Sequence, residues 1–142
     1  MHTYLDPRPE SVAALLRQRS DGPVVMLNLL RFRPTADYTA YPDLAPPTAV
    51  SGREAYEQYL EHTRPFLAKY GGEVIFRGHG EAFLIGPDAD AWEAVLLVRY
   101  PHVGAFLRLA RDAAYLAGAG HRTAALADSR LLPLDEVNIP AA

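Results

Sequence analysis

The residues of this chain best suited to move a proton near neutral pH are its five histidines, at positions 2, 62, 79, 102 and 121. No two of them stand three or four places apart, and no acidic residues complete a ligand spacing, so the sequence defines no metal site. The absence of cysteine excludes disulfides, thiolate metal centres and a cysteine nucleophile. His79 lies between Gly78 and Gly80, which free the backbone around it and suit it to serve as an acid, a base or a ligand donor. The alternative role is a hydrogen-bonded histidine in a strand bulge. Arg122 has the planar fork that clamps a carboxylate, and it can equally pair with Asp112 or Asp128. Proton transfer by His79 with Arg122 holding an anion is the chemistry these two would perform together.

Around that pair stand residues suited to line a pocket. Asn28 interrupts the otherwise apolar run VVMLNLL, so its amide either anchors a ligand or satisfies a neighbouring polar group. Tyr56, Tyr59, Tyr70 and Tyr100 can enclose a flat or aromatic molecule and offer it hydroxyls, or can simply be large core residues with polar tips. His62 lies beside Tyr59 and Phe66 on a helical stripe and either leans into the pocket or marks its exposed border. Trp92 reads as packing at one end of the sheet. Gly78 and Gly80 sit in a strand pattern with no helix start behind them, which excludes a phosphate-cradling loop.

These residues must be held by a small set of elements. PRPESVAALLRQRSDGP predicts an N-terminal helix with Val12, Leu15 and Leu16 on one stripe, ended by Asp21-Gly22-Pro23, so that residues 1–22 form a helical extension. Val24 to Leu30 reads as a strand. Residues 34–50 form a proline-rich loop, since Pro34, Pro42, Pro46 and Pro47 deny regular structure. Ser51-Gly52-Arg53-Glu54 fits a capping box, and the helix behind it runs to Tyr70. Its inner stripe is Tyr56, Tyr59, Leu60, Thr63, Phe66, Leu67 and Tyr70. EVIFRGHGEAFLIGP reads as one long strand or two half-strands bent at Gly78-His79-Gly80. It forms a hairpin with AWEAVLLVRY. Pro101 ends that strand, and Val103, Phe106, Leu107 and Ala110 form the stripe of a second helix. TAALAD is a helical turn and SRLLPL a last strand.

The resulting βαββαβ order, within a single domain of residues 1–142 whose core is 24–134, is the α+β ferredoxin-like arrangement: a four-stranded antiparallel sheet with its helices on one face. VVML, FLI and VLLV are apolar at both parities, whereas an antiparallel sheet with one wet face alternates. The second face therefore needs a cover. A second copy packed sheet to sheet provides it, giving a homodimer; the narrow stripe of the N-terminal helix is the alternative cover.

SGREAYEQYLEHTRPFLAKYGGEVIFRG and the block from Trp92 to Leu134 resemble an uncharacterised domain-of-unknown-function family of the dimeric α/β-barrel superfamily. The most specific pieces are RPFLAKYGG, the Tyr100-Pro101 turn, Tyr115, and HR followed by AAL and DSRL. The resemblance implies a homodimeric barrel with a small-molecule pocket between sheet and helices in each chain. It also implies relatives that include cofactor-independent oxygenases, haem-degrading enzymes and isomerases. The proline-rich segment departs from the shorter members.

Composition narrows the partners. A formal net charge of -3 gives no field to draw phosphate backbones or anionic lipid, so neither nucleic acid nor a membrane surface is expected. No apolar run approaches a membrane span and the first residues have no secretory pattern, which predicts a cytoplasmic protein. The expected function is a homodimer binding a small organic molecule without a cofactor. The alternatives are a cofactor-independent oxygenase or isomerase, or a ligand-free assembly module.

Overall fold

Ser51 starts the long helix as its sequence dictates. Its hydroxyl oxygen accepts from the Glu54 amide at 3.0 Å and its hydroxyl donates to the Glu54 carboxylate at 3.1 Å. The helix, α2 (Gly52–Lys69), continues through Pro65 and stops at Gly71, whose φ of 76° is open to glycine at little cost. In the computed structural model, which describes residues 2–18 and 21–137, the other elements are α1 (Pro9–Gln18), β1 (Val24–Phe32), β2 (Glu73–His79), β3 (Ala94–Tyr100), α3 (Val103–Arg111), α4 (Ala113–Leu116), α5 (Gly120–Ala125) and β4 (Leu126–Leu134). The strands form one antiparallel sheet in the order β2-β3-β1-β4, the ferredoxin-like topology.

The helices cover one face. Val24, Met26, Leu96, Val98 and Tyr100 are buried there against α3, and Val12 and Leu15 of α1 pack onto the same cluster. A second cluster joins Leu30, Phe32 and Ala94 to Ala55, Tyr56, Ala124 and Ala125. In α3 the buried residues are Val103, Ala105, Leu107 and Leu109, so that Ala105 and Leu109 stand in place of the expected Phe106 and Ala110, which are partly buried. Phe106 is partly buried, edge-on to Tyr100 at 5.4 Å.

The other face carries lateral rows set by the register. One row is Phe76, Leu97, Leu27 and Leu132; the next is Gly78, Val95, Leu29 and Arg130. Phe76 and Leu132 are each 53% exposed, and Leu27, Leu29, Val95 and Leu97 are half-buried. The row of Val25, Arg99 and Leu134 carries an ion pair, Arg99 with Glu136 at 3.1 Å, and toward the opposite end of the sheet Arg31 faces the buried Asp128. The N-terminal helix belongs to the helix layer and does not cover these rows.

Two expectations need correction. The FLI run is no strand: β2 ends at His79, and Leu84 and Ile85 stand fully exposed in the connection to β3. Its pairing partners would have come from PDADAW, where proline and aspartates disfavour a ladder. The β2 irregularity falls between Val74 and Phe76 rather than at the glycines. The proline-rich loop is irregular as expected, apart from a 3-10 turn at Pro42–Leu44, and its ends are tied together by Ala36 N–H donating to Val50 O at 2.9 Å.

Candidate functional site

The start of α2 is seated where only glycine fits. A Cβ on Gly52 would lie 2.2 Å from the Arg33 carbonyl oxygen and 2.5 Å from that of Ala125, while the Gly52 amide donates to Arg33 O at 3.0 Å. This contact fixes the next residue, Arg53, over the end of the sheet. Its guanidinium stands 4.9 Å from the Phe32 ring centre and its Nη2 lies 3.7 Å from Glu93 Oε2. The other oxygen of Glu93 accepts from the Phe32 amide at 3.1 Å. Arg53 Nη1 donates to His79 Nδ1 at 2.9 Å.

His79 reaches this group through the bulge in β2. Two residues of β2 oppose one step of β3 there, so that Arg77 and His79 fall opposite Leu96 and Ala94, on the helix side of the sheet. Without the extra residue both would face the open rows. His79, Arg53 and Glu93, with Gly80, Glu81 and Ala91, line an open basin of about 590 Å3. Beside it, Tyr56, Glu57, Arg77 and Leu96 join the wall of a crevice of about 10 Å3, room for a single water. Arg77 pairs with Glu57 across the rim. Burial pushes the Tyr56 phenol far up, and Tyr59 adds to this against the pull of Arg122 and Arg77, so it remains a protonated donor.

Tyr56 and His79 thus come together. The remaining candidates are placed elsewhere. The Asn28 amide donates to the carbonyls of Met26 at 3.3 Å and Leu96 at 3.2 Å. Tyr59 and Tyr115 share a hydroxyl hydrogen bond of 2.7 Å, and His62 Nε2 lies 3.0 Å from the Tyr115 carbonyl oxygen. Tyr100 is buried in the core, and burial raises its phenol as it does that of Tyr115. Arg122 donates to the Leu5 carbonyl at 2.6 Å and to the Ser129 hydroxyl at 3.3 Å, tying down the N-terminal segment rather than pairing with Asp112 or Asp128. His102 caps α3, accepting from the Ala105 amide at 3.1 Å, and His121 meets the Tyr38 hydroxyl at 2.7 Å. Burial lowers His121, with His62 adding to the effect. The guanidiniums of Arg31 and Arg130 both lie against the Trp92 ring, at 4.4 and 5.0 Å from its centre.

Arg53 and Glu93 were not singled out from sequence as site residues. One signal for Arg53 was present: a cation in the first turn of a helix opposes the positive pole there, and such a local misfit marks a residue held for another reason. Among the described residues, no group of three or more His, Asp or Glu side chains is arranged to hold a metal ion, and no helix is long and apolar enough to cross a membrane.

This sheet order, with its helices gathered on one face and a basin at the sheet's end, defines a ferredoxin-like α+β protein. More narrowly, the chain belongs to DUF1330, a family described as a domain of unknown function, whose model matches residues 47–133. It is similar over 97% of its length to the Rhodopseudomonas palustris protein RPA0582, of unknown function, at 36% identity and a TM-score of 0.84, covering 100% of that chain. The methylated form of RPA0582 gives 38% identity and a TM-score of 0.85, with 97% of this chain and 98% of that one covered. An uncharacterised NIPSNAP domain protein from Burkholderia xenovorans shares the fold alone, at 13% identity and a TM-score of 0.50 over 84% of this chain and 99% of its own. No curated protein matches the chain.

Proposed function

We propose that the protein is a homodimer, packed sheet to sheet, that binds a small organic molecule in the basin at Arg53, His79 and Glu93. The observation that carries the binding is the Arg53–His79 hydrogen bond of 2.9 Å on the wall of a basin of about 590 Å3. A cation and an imidazole presented side by side at a concave surface suit an organic acid or a polarised carbonyl compound. The basin lies at the mouth of the sheet-to-helix layer. The crevice inside that mouth is water-sized, which puts the ligand outside the tyrosine cluster. If the site turns substrate over, His79 is the group in contact with it, and Arg122 acts from a distance by holding residues 4 and 5 in place.

The dimer is supported by the apolar rows of the open face, which no element among the described residues covers. Burying a leucine or valine there contributes about 1.5–3 kcal/mol per side chain before association costs. Sedimentation equilibrium at micromolar concentration is expected to return twice the 15.6 kDa chain mass, and Leu97→Asp to return the single mass. A wild-type protein that sediments as one chain overturns the dimer. For binding, calorimetric titration with small mono- and dicarboxylates is expected to give saturable heat that His79→Gln abolishes; no heat with any of them removes the binding reading. The second reading, a ligand-free assembly module, is favoured by the water-sized crevice of about 10 Å3 and would then stand.

A further inference from the structure

We propose that Arg53 is a positioning residue that holds His79 with Nε2–H as the hydrogen-bond donor of the basin, so that the site takes its ligand by an oxygen acceptor, a carboxylate or a carbonyl. The ligand half rests on the binding reading above; the hold of Arg53 on His79 does not. A guanidinium carries only N–H groups and has no acceptor. Arg53 Nη1 therefore donates to His79 Nδ1 across 2.9 Å, and the Nδ1 lone pair is taken. In a neutral imidazole one nitrogen carries the proton when the other accepts, which places the proton on Nε2.

Arg53 is not free to release that lone pair. Glu93 Oε2 faces its Nη2 at 3.7 Å, the Phe32 ring lies 4.9 Å from its carbon centre, and Glu93 is itself anchored by the Phe32 amide at 3.1 Å. Of the other charged groups, Glu57 is engaged by Arg77 at the neighbouring crevice, and Glu81 lines the basin with His79, Arg53 and Glu93. The sequence suggested an acid, a base or a ligand donor at position 79; a base needs an available lone pair, and with Nδ1 taken the proposed arrangement favours the donor. A neutral imidazole that donates to a carbonyl or carboxylate oxygen polarises it without an exchange of net charge. Arg53 adds positive charge to the same wall.

Nitrogen-15 spectra of labelled full-length protein, followed up a pH series until the His79 ring is neutral, read this arrangement with no ligand present. The expected result is a protonated Nε2 and a hydrogen-bonded, unprotonated Nδ1. Arg53→Leu is expected to move the Nδ1 resonance toward that of a free acceptor nitrogen, and Glu93→Gln, which loosens Arg53 without removing it, to move it less. A proton on Nδ1, or an Nδ1 resonance unmoved in Arg53→Leu, overturns the proposal. Acetate and acetamide are then added as probes. Both are expected to shift Nε2–H, with acetate weakened about tenfold in Arg53→Leu, the size of one charge-assisted hydrogen bond. A ring with the expected tautomer that responds to neither probe overturns the oxygen-acceptor ligand while leaving the Arg53 hold in place.

Discussion

At Tyr115 a phenol, a histidine and the rings of Tyr59 and Phe66 are held together within the helix layer, whereas at Arg53 a guanidinium holds a histidine beside open solvent. The residue types are similar and the consequences differ. Inside the layer these polar groups have protein partners: Tyr59 has Tyr115, His62 has a carbonyl, and Tyr38 has His121, whereas the buried Thr63 hydroxyl has none. Burial makes an unmade hydrogen bond costly, and the paired, part-buried groups make theirs within the protein. At the mouth the Arg53–His79 contact engages one ring nitrogen, and in the arrangement proposed above the other is left for a ligand. A cluster rich in chemically capable side chains is thus a weaker sign of a binding site than a single pair with an atom to spare.

Substitutions sharpen that contrast, beginning with the interior. Tyr115→Ala removes a ring in contact with Tyr59 and Phe66 together with the partner of the Tyr59 hydroxyl, and is expected to cost about 3 kcal/mol in urea unfolding. A loss below about 1 kcal/mol would mean that the aromatic cluster is not a packed interior.

A smaller, pH-dependent effect is expected at Asp112. The Tyr70 hydroxyl at 2.6 Å, Lys69 at 3.1 Å and the amides of Ala114 and Tyr115 hold its carboxyl well below the usual carboxylate range. Because the folded value lies below the unfolded one, its contribution is full above the ordinary carboxylate pKa of about 4 and fades as pH falls toward the folded value. Asp112→Asn keeps a good helix cap and removes the charge, so it should flatten the acid limb of the stability curve and leave the fold intact. An acid limb identical to that of the wild type would sink this assignment.

The smallest effect on stability belongs to the mouth. Arg53→Gln is expected to change unfolding free energy by no more than about 0.5 kcal/mol, as partly exposed ion pairs do, while weakening the acetate response about tenfold. A loss as large as that of Tyr115→Ala would make Arg53 a structural residue and erase the difference between the two regions.

Much of the fold was readable in advance because helix and strand faces are encoded locally. The capping box at Ser51, the stripe of α2, the irregular proline segment and the apolar runs of β1 and β3 each stand in a window of contiguous residues. The FLI run misled because a short apolar segment carries no statement of its pairing partner. The site was only half readable for the same reason: His79 and Tyr56 were marked by type, but Arg53 was visible only as part of a helix cap and Glu93 as one charge near a strand start.

The amino-acid sequence by itself determined the βαββαβ order, the double apolarity of β1 and β3 and the absence of thiol chemistry. The tertiary structure alone decided which side of the sheet each β2 residue faces, because one extra residue between Val74 and Phe76 inverts the parity of those that follow. That inversion turns Arg77 and His79 toward Tyr56, and the backbone contact at Gly52 sets Arg53 above them. Both depend on ladder register and close backbone approach between distant segments, quantities that no local pattern of side chains encodes.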